Sequence, residues 1–326
     1  MAIMTTDFPA LTDDLQEIFN EVAKNSIADL KGYQLFEVKD TDRRTFDHLI
    51  LHGIGGAQKV AQGADLPALS LVEGDSITWT QGRYGALVSV TKDMRLFDLY
   101  DQIESLVRSV TDASFNDIDQ AMADVLLYGF SSSNYTDVYG QSVSAVGPDG
   151  LAVFSASHTN NLNATVFSNL IVYNSITNPI LSREAIVAAR VMGRIHKDPA
   201  GKSRPVNLDT LYVAPSKEDE ALRIIESSQI SGSAENDINP LKGKIKVVAW
   251  EKLETRSDGT DTSAYWFMCD SKKVKESVKA LFRERPSLDA PEQVYKNKNW
   301  DYSIDFYYTL GRGYPAYIFG SNATLS

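Results

Sequence analysis

Alternating apolar and polar positions near the C-terminus give the clearest structural signal in the chain. Within residues 300–326 the apolar side chains first occupy every second position, as in a strand with one buried face. They are Tyr302, Ile304, Phe306, Tyr308 and Leu310. Gly311, Gly313 and Pro315 interrupt this pattern, and a second short strand is predicted at 316–319. We expect these two strands to close a sheet at the end of the chain.

Helical spacing marks three further segments. Residues 11–24 carry apolar side chains on one helical face, and Thr12 is placed to cap that helix. Residues 95–128 form the longest periodic segment, which predicts a helix roughly 50 Å long at 1.5 Å per residue. Gly129 follows it as a stop signal. A third helix is predicted over 182–197.

Short strands are predicted before the long helix. Residues 33–38 and 45–51 alternate as strands do, and a glycine-rich passage follows them. Alternation returns at 76–81 and again at 84–90. We therefore expect an extended two-stranded hairpin over 56–91. Such a hairpin is marginally stable in water unless another surface covers it.

The second half of the chain mixes both kinds of element. Residues 131–180, rich in Ser, Asn and Thr, predict irregular connections with short strands. Strands are predicted at 208–214, 245–250 and 264–269. A capping-box pattern, SKED at 216–219, predicts the start of a helix over 221–225. Residues 284–299 contain two prolines and are expected to form a linker.

Composition narrows the class of protein. The 326 residues include one cysteine, Cys269, so an intrachain disulfide or a cysteine zinc site is excluded. No apolar run approaches the ~20 residues of a membrane helix, and the acidic N-terminus lacks the features of a secretory signal. The net charge of −11 disfavours direct binding to nucleic-acid phosphates. If such a protein encloses DNA, we expect it to act as a container that does not bind the phosphate backbone.

Candidate catalytic and metal-binding motifs are incomplete. The GKS at 201–203 lacks the upstream glycine of a P-loop, because that position is His196. His48 and His52 lie in a predicted strand, where their spacing separates them by ~13 Å. His158 has neighbouring serines but no nucleophile elbow. We assign no catalytic, cofactor-binding or metal site.

Acidic residues cluster at 112–124 and 218–220. Their spacing on predicted helices is typical of a solvated face. We therefore expect these carboxylates to be exposed and to take no part in catalysis.

The order of elements and three local stretches carry a resemblance to a known family. The stretches are QGADLPALSLVEGDSITWTQGRYGALVSVTKD, LDTLYVAPSKEDEALRIIESS and GRGYPAYIFGS. Together they resemble the major capsid proteins of tailed bacteriophages. GRGYPAYIFGS and the stretch Phe154–Asn161 resemble Mu-type head subunits in particular. The resemblance implies an α+β class and the Hong Kong 97-like fold. It covers nearly the whole chain.

The resemblance also implies a domain organisation. The expected segments are an N-terminal arm and helix (1–30), peripheral-domain strands (31–55), an extended loop (56–91), the remaining peripheral domain (92–181) with a spine helix at 95–128, an axial α/β domain (182–283) and a return to the peripheral sheet (284–326). The family's helical scaffolding extension has no counterpart before residue 11. The resemblance then implies either a separate scaffolding protein or a mature chain after cleavage, and a start at Met1 favours the separate protein.

The implied function is structural. A subunit of this kind self-assembles through pentamers and hexamers into an icosahedral shell that encloses double-stranded DNA without sequence-specific binding. Its expected partners are further copies, a scaffolding protein, a portal and, in some shells, a decoration protein, with no membrane. It would be assembled in the host bacterial cytoplasm and reside in the virion. The alternatives are an encapsulin-like nanocompartment shell and a soluble α/β enzyme whose site is unrecognised.

Two apolar surfaces are expected to contact neighbouring subunits. One lies on the helix at 11–24 and the other at the tip of the hairpin. The predicted assembly residues are Leu15, Ile18, Phe19, Val22, Leu66, Leu69, Leu71 and Val72. Few apolar partners are available near the hairpin tip in the sequence, and an exposed apolar patch usually marks an interaction site.

Overall fold

The computed structural model describes residues 8–52, 59–60, 62, 65, 72–97, 100–160, 163–197, 203–229, 238–294 and 296–323. The chain divides into two compact units. Unit one comprises Met1–Phe46, Trp79–Met122 and Ala280–Gly311. Unit two comprises Asp47–Thr78, Ala123–Lys279 and Arg312–Ser326. This grouping differs from the expected domains, because residues 123–181 cluster with the segment that was expected to form a separate axial domain.

The α-helices of the described chain agree with the predicted positions at 11–24, 95–128 and 182–197. They are α1 (Phe8–Asp29), α2 (Lys31–Leu35), α3 (Lys92–Leu96), α4 (Tyr100–Leu127), α5 (Arg183–Arg194) and α6 (Glu218–Glu226). The predicted spine helix corresponds to α4, which is preceded by the short α3. Gly129 follows the end of α4 and donates a backbone hydrogen bond to Leu126 O.

The strands are many and mostly short. They are β1 (Glu37–Asp40), β2 (Thr45–His52), β3 (Val72–Thr80), β4 (Gly82–Val90), β5 (Tyr135–Thr136), β6 (Ser142–Val143), β7 (His158–Asn160), β8 (Asn163–Phe167), β9 (Val172–Tyr173), β10 (Ile176–Thr177), β11 (Thr210–Val213), β12 (Lys246–Ala249), β13 (Trp266–Cys269), β14 (Val278–Leu288), β15 (Glu292–Gln293), β16 (Trp300–Arg312) and β17 (Ile318–Ser321).

Strand β16 is the centre of the sheet in unit one. The sheet runs in the order β1-β14-β16-β15, and β4 also pairs with β16. The predicted apolar face is confirmed, because Tyr302, Ile304, Phe306 and Tyr308 are all buried. On the same face Tyr84 stacks on Phe306 at 5.8 Å between ring centroids.

The expected hairpin over 56–91 is wrong in its pairing. Strand β3 pairs with β2, whereas β4 pairs antiparallel with β16 from Gly82↔Tyr308 to Val90↔Trp300. The two-stranded element is therefore β2–β3. Alternation along β4 indicates one buried face but does not identify the partner strand.

Two other expectations, the strand at 33–38 and the linker at 284–299, are wrong in part. Residues 33–35 lie in helix α2, because the Gly32 N–H donates to the buried Asp119 carboxylate at 2.8 Å and thereby ties this turn to α4. Residues 284–288 belong to β14 and are not a linker. Strand β14 runs from Val278 to Leu288 and so contains Pro286, and the two-residue strand β15 also lies within the expected linker.

Unit two is built on a four-stranded sheet in the order β12-β11-β13-β17. Strands β11 and β12 are parallel, and the other pairs are antiparallel. Every residue of β11, β13 and β17 is buried. The expectation that the last strand shares a sheet with β16 is wrong, because β17 pairs with β13.

Helices α5 and α6, both in unit two, begin in different ways. The Ser182 hydroxyl caps α5 by accepting from the Ala185 N–H at 3.2 Å. The predicted capping box at 216–219 does not form, because a 3₁₀ turn at Pro215–Lys217 leads directly into α6. The Ser216 N–H instead donates to Glu254 at 3.4 Å.

Gly311 and Gly313 are required by close packing. A Cβ at Gly311 would lie 2.7 Å from the Trp79 ring, in unit one. A Cβ at Gly313 would lie 2.3 Å from Glu276 O, in unit two. Real Cβ atoms do not approach other atoms so closely, so a larger residue at either position would displace its neighbours.

The acidic residues of α4 are not all solvated. Asp119 and Asp124 are 2% and 0% exposed, so the expected solvated face is wrong for these two. Each carboxylate accepts a backbone N–H from a segment distant in sequence, Gly32 for Asp119 and Ser257 for Asp124. Asp112 remains exposed and accepts from Ser26 Oγ at 3.1 Å.

We predict that Asp119→Ala lowers the free energy of unfolding of the chain by about 1–3 kcal/mol, because the buried Gly32 N–H loses its acceptor. Asp112→Ala, two turns earlier on the same helix, is the matched control and should change it by less than about 0.5 kcal/mol. Urea unfolding of both variants measures the difference. Equal effects would contradict a structural role for the buried carboxylate.

Candidate assembly surfaces

His158 is enclosed by the fold of unit two. It is 1% exposed, and its Nδ1 lies 2.6 Å from Asp149 Oδ2. Its Nε2 lies 3.2 Å from Val153 O and 3.1 Å from Asn169 Oδ1. Both ring nitrogens therefore face oxygen acceptors within the protein. A general base needs an accessible nitrogen lone pair, and this imidazole offers none to a substrate.

The other reactive groups do not assemble into a site either. The described residues contain no group of His, Cys, Asp and Glu side chains that could hold a metal ion. Cys269 is buried in β13, and desolvation raises the pKa of its thiol, which keeps it in the unreactive protonated form. None of the described helices is long and apolar enough to cross a bilayer.

A depression of about 480 Å³ lies on the polar face of the sheet in unit one. Its lining includes Leu87, Asp289, Asp301 and Ser303. Two of the carboxylates there are engaged with neighbouring hydroxyls, since Ser303 Oγ donates to Asp289 at 2.8 Å and Ser89 Oγ donates to Asp301. These hydrogen bonds stabilise the sheet surface and leave no isolated acid–base pair.

The apolar face of α1 is already covered within one chain. Leu15, Phe19 and Val22 are 2%, 3% and 8% exposed, whereas Ile18 is half-buried. Ser26 of the same helix donates to Asp112 of α4. This burial revises the expectation that a neighbouring subunit covers all four residues. Only Ile18 keeps enough exposed surface to contact another copy without unfolding the helix.

The second expected surface lies on the hairpin β2–β3. Strands β2 and β3 are cross-linked by a hydrogen bond from Thr78 Oγ1 to Asp47 Oδ1 at 2.5 Å. Leu66, Leu69 and Leu71, in the connection between these strands, lie outside the described residues. Val72 is the first residue of β3, and its side chain also lies outside what the structure describes.

Sequence reasoning missed an exposed apolar surface on α5. Val187, Val191 and Ile195 project to solvent although the opposite side of the helix is buried. Their spacing of four residues was a readable signal, because such positions share one helical face. The apolar residues on the buried side of the same helix are sufficient to predict the helix. The exposed apolar residues therefore add nothing to the helix prediction and are easily overlooked.

Comparison with known proteins agrees with this arrangement of elements. Residues 74–319 match the family model described as phage capsid protein. No curated protein matches the chain.

Three solved structures illustrate the similarity of fold. The virus-like particle from Pyrococcus furiosus has a TM-score of 0.51 at 10% identity, covering 95% of this chain and 98% of that chain. The capsid of the native GTA particle has a TM-score of 0.55 at 11% identity, covering 92% and 89%. The capsid of Myoviridae phage XM1 has a TM-score of 0.53 at 10% identity, covering 90% and 91%.

Identities this low show a shared fold, and the predicted α+β shell-protein fold is confirmed by them. The family match adds what the fold similarity alone does not. It extends from β3 to β17 and so includes most of both compact units. Since the matched region covers most of its length, the chain belongs to the phage capsid protein family.

Proposed function

We propose that the chain is the major capsid subunit of a tailed phage, which self-assembles through pentamers and hexamers into a closed icosahedral shell around double-stranded DNA. The family match over residues 74–319 is the observation that carries this proposal. The enclosed state of His158 and Cys269 supports a structural and non-enzymatic role. The net charge of −11 suits a wall that surrounds DNA without gripping it.

The proposal includes partners and a location. Assembly takes place in the host bacterial cytoplasm, with a scaffolding protein and a portal, and the finished shell belongs to the virion. A decoration protein is a further candidate partner. The encapsulin-like alternative uses the same fold. The family match favours the phage capsid over it, because the model that matches residues 74–319 is described as phage capsid protein.

We expect the purified full chain, expressed with a scaffolding partner, to form closed particles visible by negative-stain electron microscopy and sedimenting in the megadalton range. Particles from phage-producing cells should contain nuclease-protected double-stranded DNA. A protein cargo without DNA would support the nanocompartment alternative. A small oligomer under every assembly condition would contradict the shell.

The hairpin connection provides a second prediction. Replacing residues 53–71, which join β2 to β3, by a short Gly-Ser turn should leave the free energy of unfolding of the free subunit within about 0.5 kcal/mol of wild type. It should abolish particles, because the lost contacts are between subunits. Circular dichroism and sedimentation velocity measure the two effects.

A Gly-Ser segment of unchanged length is a second variant at the same place. It keeps the reach of the connection but removes Leu66, Leu69 and Leu71, so we expect it also to fail in assembly. Normal particles from both variants would refute the role proposed for the hairpin.

Substitutions at two adjacent residues of helix α1 should distinguish an effect on folding from an effect on assembly. Phe19→Asp should destabilise the free subunit by at least about 3 kcal/mol, because Phe19 is buried in its own chain. Ile18→Asp should change the unfolding free energy by less than about 1 kcal/mol and reduce particle yield. Gln16→Asp, exposed on the same helix, is the control. Unchanged particle yield for Ile18→Asp, measured beside urea unfolding, would remove α1 from the assembly surface.

A further inference from the structure

Helix α5 and its C-cap residue carry an apolar stripe that is open to solvent from Val187 to Ile195. Val187, Val191 and Ile195 are 37%, 52% and 68% exposed. They follow one another at intervals of four residues and therefore line one side of the helix. The opposite side is buried in the core of unit two through Ala185, Ile186 and Ala189. The helix is thus apolar on two sides, and only one of them is used within the subunit.

Positive charge flanks this stripe along one edge. Arg183, Arg190 and Arg194 lie beside it on the helical face. Arg190 and Arg194 form no ion pair within the described residues, and the Nε of Arg190 is buried without a hydrogen-bond partner. Burial, together with the charge of Arg194, lowers the pKa of Arg190. Two unpaired guanidinium groups therefore lie next to an uncovered apolar surface.

Helix α6, in the same unit, presents the complementary surface. Leu222 is 37% exposed, and Ala221 and Ile225 bury the other side of the helix. Glu218 lies four residues before Leu222 and Glu226 four residues after it, so carboxylates border this leucine on both sides.

Asp219 adds a third carboxylate to the same face. None of Glu218, Asp219 and Glu226 forms an ion pair within the described chain. An apolar centre bordered by unpaired carboxylates is the counterpart of an apolar stripe bordered by unpaired arginines.

We propose that the α5 face of one copy packs against the α6 face of a second copy, with Val191 near Leu222 at the centre and the arginines facing the carboxylates. The match of charges identifies a second copy of this chain as the occupant. Contact of α5 with α5 would bring arginines against arginines, and contact of α6 with α6 would oppose carboxylates.

A contact between two different faces of identical subunits is heterologous and generates a ring when the rotation closes. The interface therefore supplies the link between neighbours within a pentamer or hexamer. This step rests on the proposed shell function, whereas the pairing of the two faces rests on their charges and exposure.

Cysteine cross-linking tests the pairing directly. Val191→Cys and Leu222→Cys, carried on separately tagged chains and coexpressed, should form a disulfide-linked pair of the two different chains under mild oxidation. Neither variant alone should form a linked pair. The native Cys269 is buried and should not contribute. A linked pair from Val191→Cys alone, or none from the mixture, would overturn the proposal.

Charge reversal provides an independent test. Arg190→Glu with Arg194→Glu should prevent particle formation, because two acidic faces then meet. Glu218→Arg with Asp219→Arg and Glu226→Arg should prevent it equally. The chain carrying all five substitutions should assemble again, since the opposed charges are restored with reversed sign. A combined variant no better than the separate ones would contradict the pairing.

Arg43→Glu with Arg44→Glu, a reversal of the same size at exposed positions of unit one, is the control and should assemble as wild type. Circular dichroism and urea unfolding should be unchanged for every variant, which excludes misfolding as the cause. Wild-type chains that form no particles would contradict the shell function itself. If the wild-type chain assembles normally and the α5 and α6 charge-reversal variants do so too, only the α5–α6 interface is contradicted.

Discussion

Burial of one face of β16 is the constraint on which the organisation of unit one depends. A strand of thirteen residues with four buried aromatic and aliphatic side chains on one face must be bordered by other strands and covered on that face. Strand β4 supplies nine paired residues, and β1, β14 and β15 complete the sheet. The aromatic rings of Tyr84, Phe306 and Tyr308 then pack within 6 Å of one another on a single face.

Unit two depends on a different feature, which is a network of buried hydrogen bonds beside its sheet. The Asn169 side chain donates to the carbonyls of Val153 and Pro315, at 2.7 and 3.1 Å. Its oxygen accepts from the Ser155 N–H at 2.9 Å. Because buried polar groups are costly when unpaired, these bonds permit one arrangement of the loop around His158 relative to the last strand. An apolar core of the same volume would specify that loop less strictly.

The low identity to other shell proteins follows from the kind of information that determines this fold. Most of it is pattern: alternation along β16, helical spacing along α4, and full burial of β11 and β13. Many apolar residues satisfy such patterns, provided that total volume is kept. The proposed α5–α6 interface would tolerate fewer substitutions, since Arg190 and Leu222 would each have to match a surface elsewhere on the same chain.

The sequence by itself determined the elements whose periodicity is long and unambiguous, namely α4, α5, β16 and the buried strands of unit two. Tertiary structure alone decided which strand borders β4, that Pro286 lies within a strand, and that Asp119 is buried. In each case the reason is that the partner lies far along the chain, so local spacing carries no information about it. The same holds for the candidate assembly residues. Spacing identified the apolar face of α1, but only the folded chain showed that Leu15 and Phe19 serve the subunit's own core while the α5 stripe remains exposed.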